Sequence, residues 1–262
     1  MAVHIVSRKA EKPNGLPPLL FVHGAFAGAW CWEEHFLPWF ASKGFDAYAL
    51  DLPGRRGQPD EEKLQSYSIG DYLDAVLEAI DAIPVPPVVV GHSMGGFLAW
   101  QAGEMRDVAG LVLMAPVPPT GLAAPAMQLM MSNLSLFMDV ARVHVGDPVD
   151  AASMHGAVFA AATPKSIVDK HMKRFQPESR LAVTGLYAGH VPNILAIWGT
   201  PMMIVGANED QLIPSAHVHW AASMAGRNAH IYEGMGHGLM LEAGWETVAS
   251  DIADWISETC GD

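Results

Sequence analysis

The segment VVVGHSMGG, residues 88–96, sets Ser93 between Gly91 and Gly95 directly after three valines. Helix and strand interiors both disfavour that many glycines, whereas a strand that turns sharply into a helix needs them. In a G-x-S-x-G turn the serine takes strained backbone angles, and small flanking residues let strand and helix pass closely. The hydroxyl then stands at a helix N-terminus, where free N–H groups and the dipole favour a developing anion. The chemistry this serves is nucleophilic attack on a carbonyl. The alternative is a Gly-rich turn with an incidental serine, and the choice between the two depends on partners elsewhere in the chain.

A serine hydroxyl is a poor nucleophile at neutral pH and needs a base, itself oriented by an acid. Of the 12 histidines, His237 differs in context: it lies in EGMGHGLMLE, after the last strand-like run and before the last helical pattern. Glycines at 234, 236 and 238 give it a loop able to carry an imidazole over a sheet edge. The acid is expected after a strand and upstream of His237. MMIVGANEDQLIP offers Glu209 and Asp210, and Asp210 is favoured by the chain order Ser, acid, His and by Pro214 four residues on. The other strand end that could carry the acid reads APVPPTG and holds none. Two backbone N–H groups must receive the carbonyl's negative charge. Met94 follows the nucleophile, and HGAFAGAW supplies the second donor, Ala25 first and Phe26 as the substitute. His23 is read as bracing its loop and His92 as pointing away from the hydroxyl. His217, His219 and His230 form no metal-ligand set.

The elements that must position these residues alternate. Strand candidates are LLFVHG from Leu19, FDAYALDLPG from Phe45, VVV from Val88, GLVLMAP from Gly110, PMMIVGA from Pro201 and AHIYEG from Ala229. Between them lie a helix over CWEEHFLPWFASKG ending at Gly44, and one from Ser68, whose Asp71 completes a capping box. A last helix runs from about Trp245 to Ile256. Near-continuous apolar strands separated by helices imply a mostly parallel central sheet with helices on both faces, an α/β fold. Ligands of such sheets bind beyond the C-terminal strand ends, where every motif above falls. The alternation stops from 117 to 197, a Met- and Ala-rich stretch with no clear strand. It reads as a helical cap (lid) inserted into a core made of 1–116 and 198–262.

Composition bounds the rest. The chain has 262 residues, is 50% hydrophobic and 16% charged, and carries a net charge of −13. It can bury a full core, and its acidity argues against nucleic acid as a partner. Cys31 and Cys260 have no neighbours at metal-ligand spacing and suggest no disulfide framework. The start, MAVHIVSRKAEKPNG, has no apolar signal-peptide core, and no run is long enough for a membrane span. A cytoplasmic location is expected; oligomeric state is not readable.

In order along the chain, FVHGAFAGAWCW, YALDLPGRRGQP, VVVGHSMGG, MMIVGANEDQLIP and GMGHGLMLEAGW resemble the α/β-hydrolase fold superfamily. HGAFAGAW and ALDLPG also resemble its small-ester esterase and hydroxynitrile lyase branch. The resemblance implies a Ser93–His237–Asp210 triad, an oxyanion hole at Ala25 and Met94, a cap over the pocket, and no cofactor. Two departures stand out. The family's N-terminal hairpin is short here, and the turn after Asp51 carries Arg55 and Arg56, read as solvated charge or as contacts for an anionic substrate group. Asp51 is read as structural.

Hydrolysis of a carboxylic ester, lactone or thioester of a small, largely apolar substrate is the leading expectation. Phe26, Trp30, Met127 and Met131 are expected at the pocket, with Trp32 beside Trp30, although such methionines serve equally as cap core. Haloalkane dehalogenases and epoxide hydrolases use a carboxylate nucleophile, which Ser93 is not. Plant-type hydroxynitrile lyases carry a lysine after the histidine, where Gly238 stands. Carbon–carbon hydrolase, lysophospholipase, lyase and cofactor-free dioxygenase activities stay open, as does a small-molecule receptor with a retained triad.

Overall fold

Three valines and a glycine, buried on both faces, make Val88–His92 the centre of a seven-stranded sheet. The computed structural model describes residues 3–55, 60–144 and 151–261. Strands β1 (His4–Arg8), β2 (Leu19–Val22), β3 (Ala47–Asp51), β4 (Val88–His92), β5 (Gly110–Met114), β6 (Met202–Ala207) and β7 (Ala229–Tyr232) lie in the order β1-β3-β2-β4-β5-β6-β7. All neighbours pair in parallel except β1, which runs antiparallel to β3 with His4 opposite Asp51. Strands β2, β4 and β5 are buried along their whole length, as a sheet covered on both sides demands.

Before β4 come helices α1 (Trp30–Glu33), α2 (Phe36–Ser42), α3 (Glu61–Ser66) and α4 (Ile69–Asp81). The single helix expected after β2 is two, α1 and α2. Pro38 explains the break: it lacks an N–H and its ring would strike the carbonyl of Glu34 in a continuous helix, but it is tolerated in the first turn of α2. Ser68 and Asp71 form the expected reciprocal capping box on α4. Helix α5 (Met94–Met105) follows β4 directly.

Between β5 and β6 the described residues hold no strand but five helices: α6 (Ala123–Ser132), α7 (Leu134–His144), α8 (Ala151–Val158), α9 (Lys165–Met172) and α10 (Arg180–Ala188). Helices α11 (Ser215–Met224) and α12 (Trp245–Thr259) complete the chain. Two apolar layers flank the sheet. One gathers Phe21, Trp32, Phe36, Phe40 and Ile252. The other gathers Tyr72, Val76, Leu98, Trp100 and Val218. Among the described residues no helix is long and apolar enough to cross a membrane. Cys31 and Cys260 are both free.

Candidate active site

Ser93 joins β4 to α5 with φ 55° and ψ −117°, a backbone state that residues with a Cβ rarely adopt. Its neighbours show why glycine flanks it. A Cβ on Gly91 would lie 2.2 Å from the Gly95 carbonyl oxygen, and one on Gly95 would lie 2.2 Å from the Val22 carbonyl oxygen. Strand, turn and helix therefore touch backbone to backbone. The Ser93 amide is tied to Met114 at 2.9 Å, and its carbonyl accepts from Gly96 at 3.0 Å and Val117 at 3.1 Å. The strained residue is thus held by its own helix and by β5.

His237 Nδ1 lies 2.6 Å from Asp210 Oδ2, and both residues are buried. The other carboxylate oxygen of Asp210 accepts from the amides of Leu212 at 2.8 Å and Ile213 at 2.9 Å. With Nδ1 bonded to a carboxylate, the imidazole's free nitrogen is Nε2. Glu209 faces elsewhere, its carboxylate accepting from the Ala161 amide at 2.9 Å. Ser93 and His237 line the same cavity, and no direct hydrogen bond joins hydroxyl and ring in this structure. Such contacts commonly tighten only when substrate fills the site.

The amides of Ala25 and Phe26, in the loop after β2, differ. The Phe26 N–H donates to Glu178 Oε2 at 3.0 Å. No such partner takes the amide of Ala25 or of Met94 among the described residues. The site thus offers two unpaired N–H groups next to a hydroxyl, beside an imidazole oriented by a carboxylate. Chemically, that set can remove a proton, form a bond to carbon and stabilise an oxyanion.

The cavity measures about 470 Å³ and is mostly apolar. Helices α6, α7, α9 and α10 contribute Leu129, Phe137, Val140, Met172 and Leu186 to its wall, and Phe26 also lines it. The other expected pocket residues are corrected. Met127 is 60% exposed and Met131 80% exposed. Ala126 and Leu129, three residues apart on α6, face the cavity, whereas Met127, Gln128, Met130 and Met131 turn outward. Trp30 packs behind the wall, stacked on His171 and edge-on to Phe175, with Arg174 over its ring. Trp32 belongs to the core, against Phe21 and Phe36.

Arg55 is also corrected: it is buried, ion-paired with Glu178 and bonded to the Pro177 carbonyl at 2.6 Å. Arg56 lies outside the described residues. Asp51 is structural as expected, accepting from the Ala29 amide at 2.7 Å and contacting His4 at 2.9 Å. His23 braces its loop, Nδ1 donating to the Gly24 carbonyl and Nε2 accepting from the Leu52 amide. Burial and the Arg55 charge lower its pKa to about 4, so it is neutral at pH 7.

Two residues hold the His237 loop in roles that the sequence did not suggest. His92 Nε2 donates to the His237 carbonyl at 2.8 Å. Buried Glu242 accepts from the amides of Gly236 and Ala160 and from the Thr163 hydroxyl. An acid closing the apolar run GLMLE was the available signal for Glu242. Away from the cavity, Glu34, His35 and His171 bring ligand-type atoms within 4.8 Å of one another. Glu34 is already paired there with Lys170 and Arg174, which match its charge without a metal.

Residues 19–251 match the family described as the alpha/beta hydrolase family. A monoacylglycerol lipase of Mycolicibacterium smegmatis is 24% identical over 259 residues, 93% of this chain and 88% of that protein. The phospholipase YtpA of Bacillus subtilis is 25% identical over 253 residues, 92% of this chain and 94% of that protein. Among solved structures, a thermophilic esterase from Thermogutta terrifontis aligns with a TM-score of 0.72 at 17% identity, over 98% of this chain and 93% of that one. That last likeness is one of fold.

Proposed function

The chain belongs to the alpha/beta hydrolase family, and from that premise we propose that it is a serine hydrolase cleaving carboxylic esters of small, largely apolar substrates through an acyl-enzyme on Ser93. The observation that carries this reading is the His237–Asp210 contact of 2.6 Å opening on the same apolar cavity as the strained Ser93. Full-length relatives named as a monoacylglycerol lipase and a phospholipase, both of which act on esters, support it.

In the proposed reaction His237 Nε2 takes the Ser93 proton as Oγ bonds to the carbonyl carbon. The carbonyl π pair moves to oxygen, and the N–H groups of Ala25 and Met94 receive that charge. Losing one such donor raises a barrier by about 3 kcal/mol. The tetrahedral species collapses, the alkoxide leaves with the proton from His237, and Ser93 keeps the acyl group. Water, deprotonated by His237, then attacks the acyl carbon and returns Oγ as leaving group, which regains its proton. Asp210 keeps Nε2 facing the reaction and stabilises the imidazolium. Segment 117–197 acts as a cap, its apolar wall burying the substrate's hydrocarbon part and excluding water.

Turnover of p-nitrophenyl esters tests the reading. Rapid steady-state release supports an esterase, whereas a single slow turnover identifies a receptor and sinks it. Mass spectrometry after fluorophosphonate treatment should place the adduct on Ser93. Thioester and lactone substrates in the same screen assign the bond class.

A further inference from the structure

Glu178, just ahead of α10, is a carboxylate with every side occupied. Its side chain and that of Arg55 are each 1% exposed and form a buried ion pair. One oxygen also accepts from the Tyr72 hydroxyl at 2.7 Å and the Ser179 amide at 2.8 Å. The other accepts from the Phe26 amide at 3.0 Å. The amide of Gln176 donates to the Phe26 carbonyl at 2.9 Å. Both polar backbone groups of Phe26 are thus held by one short stretch of the inserted segment.

Phe26 needs such a hold. Its φ is 64°, a left-handed backbone that glycine adopts freely and phenylalanine does not. On the other side of Ala25, Gly24 is pressed against the nucleophile: a Cβ there would lie 3.0 Å from Ser93 Cβ and 3.0 Å from His92 Nδ1. The Ala25 N–H lies between these two fixed points. We infer that Glu178 is a positioning residue for the acyl-transfer step: clamped by Arg55 and Tyr72, it holds Phe26 in its left-handed state and so aims the Ala25 N–H at the oxyanion. The inference rests on the Ser93 hydrolase reading.

A purely stabilising role explains the arrangement poorly. Burying two charges costs much of what their attraction returns, and apolar groups of similar volume often serve as well. A carboxylate supplies what an apolar group cannot, a charged acceptor of fixed position for one strained amide. The Tyr72 phenol is pushed up by burial and by the Glu178 charge, and stays a donor.

The test is Glu178→Gln in the full chain, which keeps shape and removes charge. With p-nitrophenyl butyrate, kcat should fall about 10–100-fold while KM changes by less than about twofold. The inhibition constant of a trifluoromethyl ketone, which forms an oxyanion on the serine, should rise by the factor by which kcat/KM falls. Active-site titration normalises both to folded enzyme. A raised KM with kcat intact, or an inhibition constant that does not follow, overturns the inference. Should Glu178→Gln fail to fold, Tyr72→Phe carries the test: it removes one clamp bond inside an intact core and should give the same pattern at about 2–5-fold. Hydrogen exchange at the Phe26 amide reports on the clamp without activity. It should quicken at least about tenfold in either variant, and an unchanged rate overturns the inference even if kcat falls. A wild-type chain that turns over no ester and takes no fluorophosphonate instead refutes the hydrolase reading, and the positioning role with it, whatever the exchange rate.

Discussion

His92 Nε2 lies 2.8 Å from the backbone carbonyl of His237, with the two rings 4.6 Å apart. The residue before the proposed nucleophile therefore holds the loop that carries the proposed base. Burial, and then the charge of His237, keep His92 well below the ordinary imidazole range, so it stays a neutral donor. A second positive charge there would oppose the imidazolium that the proposed mechanism forms on His237. His92→Phe keeps the bulk and removes the bond. It should lower kcat about tenfold with little change in KM, since loss of position costs rate more than binding. Steady-state kinetics on a short p-nitrophenyl ester check this, and unaltered kcat would mean the loop holds itself.

Ser93→Ala should abolish ester turnover with an unchanged thermal midpoint, and substantial residual activity would remove Ser93 from the mechanism. Asp210→Asn should cost about 10³–10⁴-fold in kcat by leaving the imidazole in the wrong tautomer. Glu209→Gln, at a carboxylate that accepts from the Ala161 amide, should stay within about threefold of wild type. The reverse ranking would show that the acid has been misidentified.

The Gly91 and Gly95 backbones meet with no room for a methyl group. Gly91→Ala should destabilise the protein by about 3–5 kcal/mol or displace the elbow. Urea unfolding and fluorophosphonate labelling distinguish the two outcomes. A fully stable, fully labelled variant would contradict the packing.

What the sequence made legible was local. The elbow around Ser93 is set by residues in contact along the chain, and the capping box at Ser68 and Asp71 likewise. Six of the seven strands showed as apolar runs between turn residues. The edge strand β1 did not, because HIVSR is short, half-buried and lacks a clear alternation. The unread parts are long-range or a matter of phase. Arg55 looked solvated because the segment it pairs with lies more than a hundred residues on, and Glu178 reaches Phe26 across 152 positions. In AAPAMQLMMS nearly every residue is apolar, so no stripe marks which face turns inward, and Met127 and Met131 could not be phased.

Which side chains of α6 and α7 turn inward is testable through substrate size. Ala141 lines the cavity, so Ala141→Phe should cut kcat/KM for p-nitrophenyl octanoate at least about tenfold more than for the acetate. Met131→Ala, on an outward side chain, should alter neither by more than about twofold. Equal losses on both esters in the Ala141 variant would place the acyl chain elsewhere.

His23 gives stability a pH dependence of fixed sign. Its imidazole is fully buried and neutral, with a pKa lowered to about 4 by burial and the Arg55 charge. In the unfolded chain it titrates near about 6.5, so below that pH the unfolded state holds a proton the folded state refuses. Stability is therefore complete above about pH 6.5 and is lost as pH falls toward 4. Lowering pH from 7.5 to 5 should remove about 2 kcal/mol on account of His23, and His92 adds a loss of the same sign. Urea unfolding at the two pH values measures the total, and His23→Gln isolates the share of one residue. Gln offers the Leu52 amide an oxygen acceptor but does not titrate, so the variant's pH-dependent loss should be smaller than wild type's by about 2 kcal/mol. Equal losses in the two proteins would mean that His23 accepts its proton without unfolding.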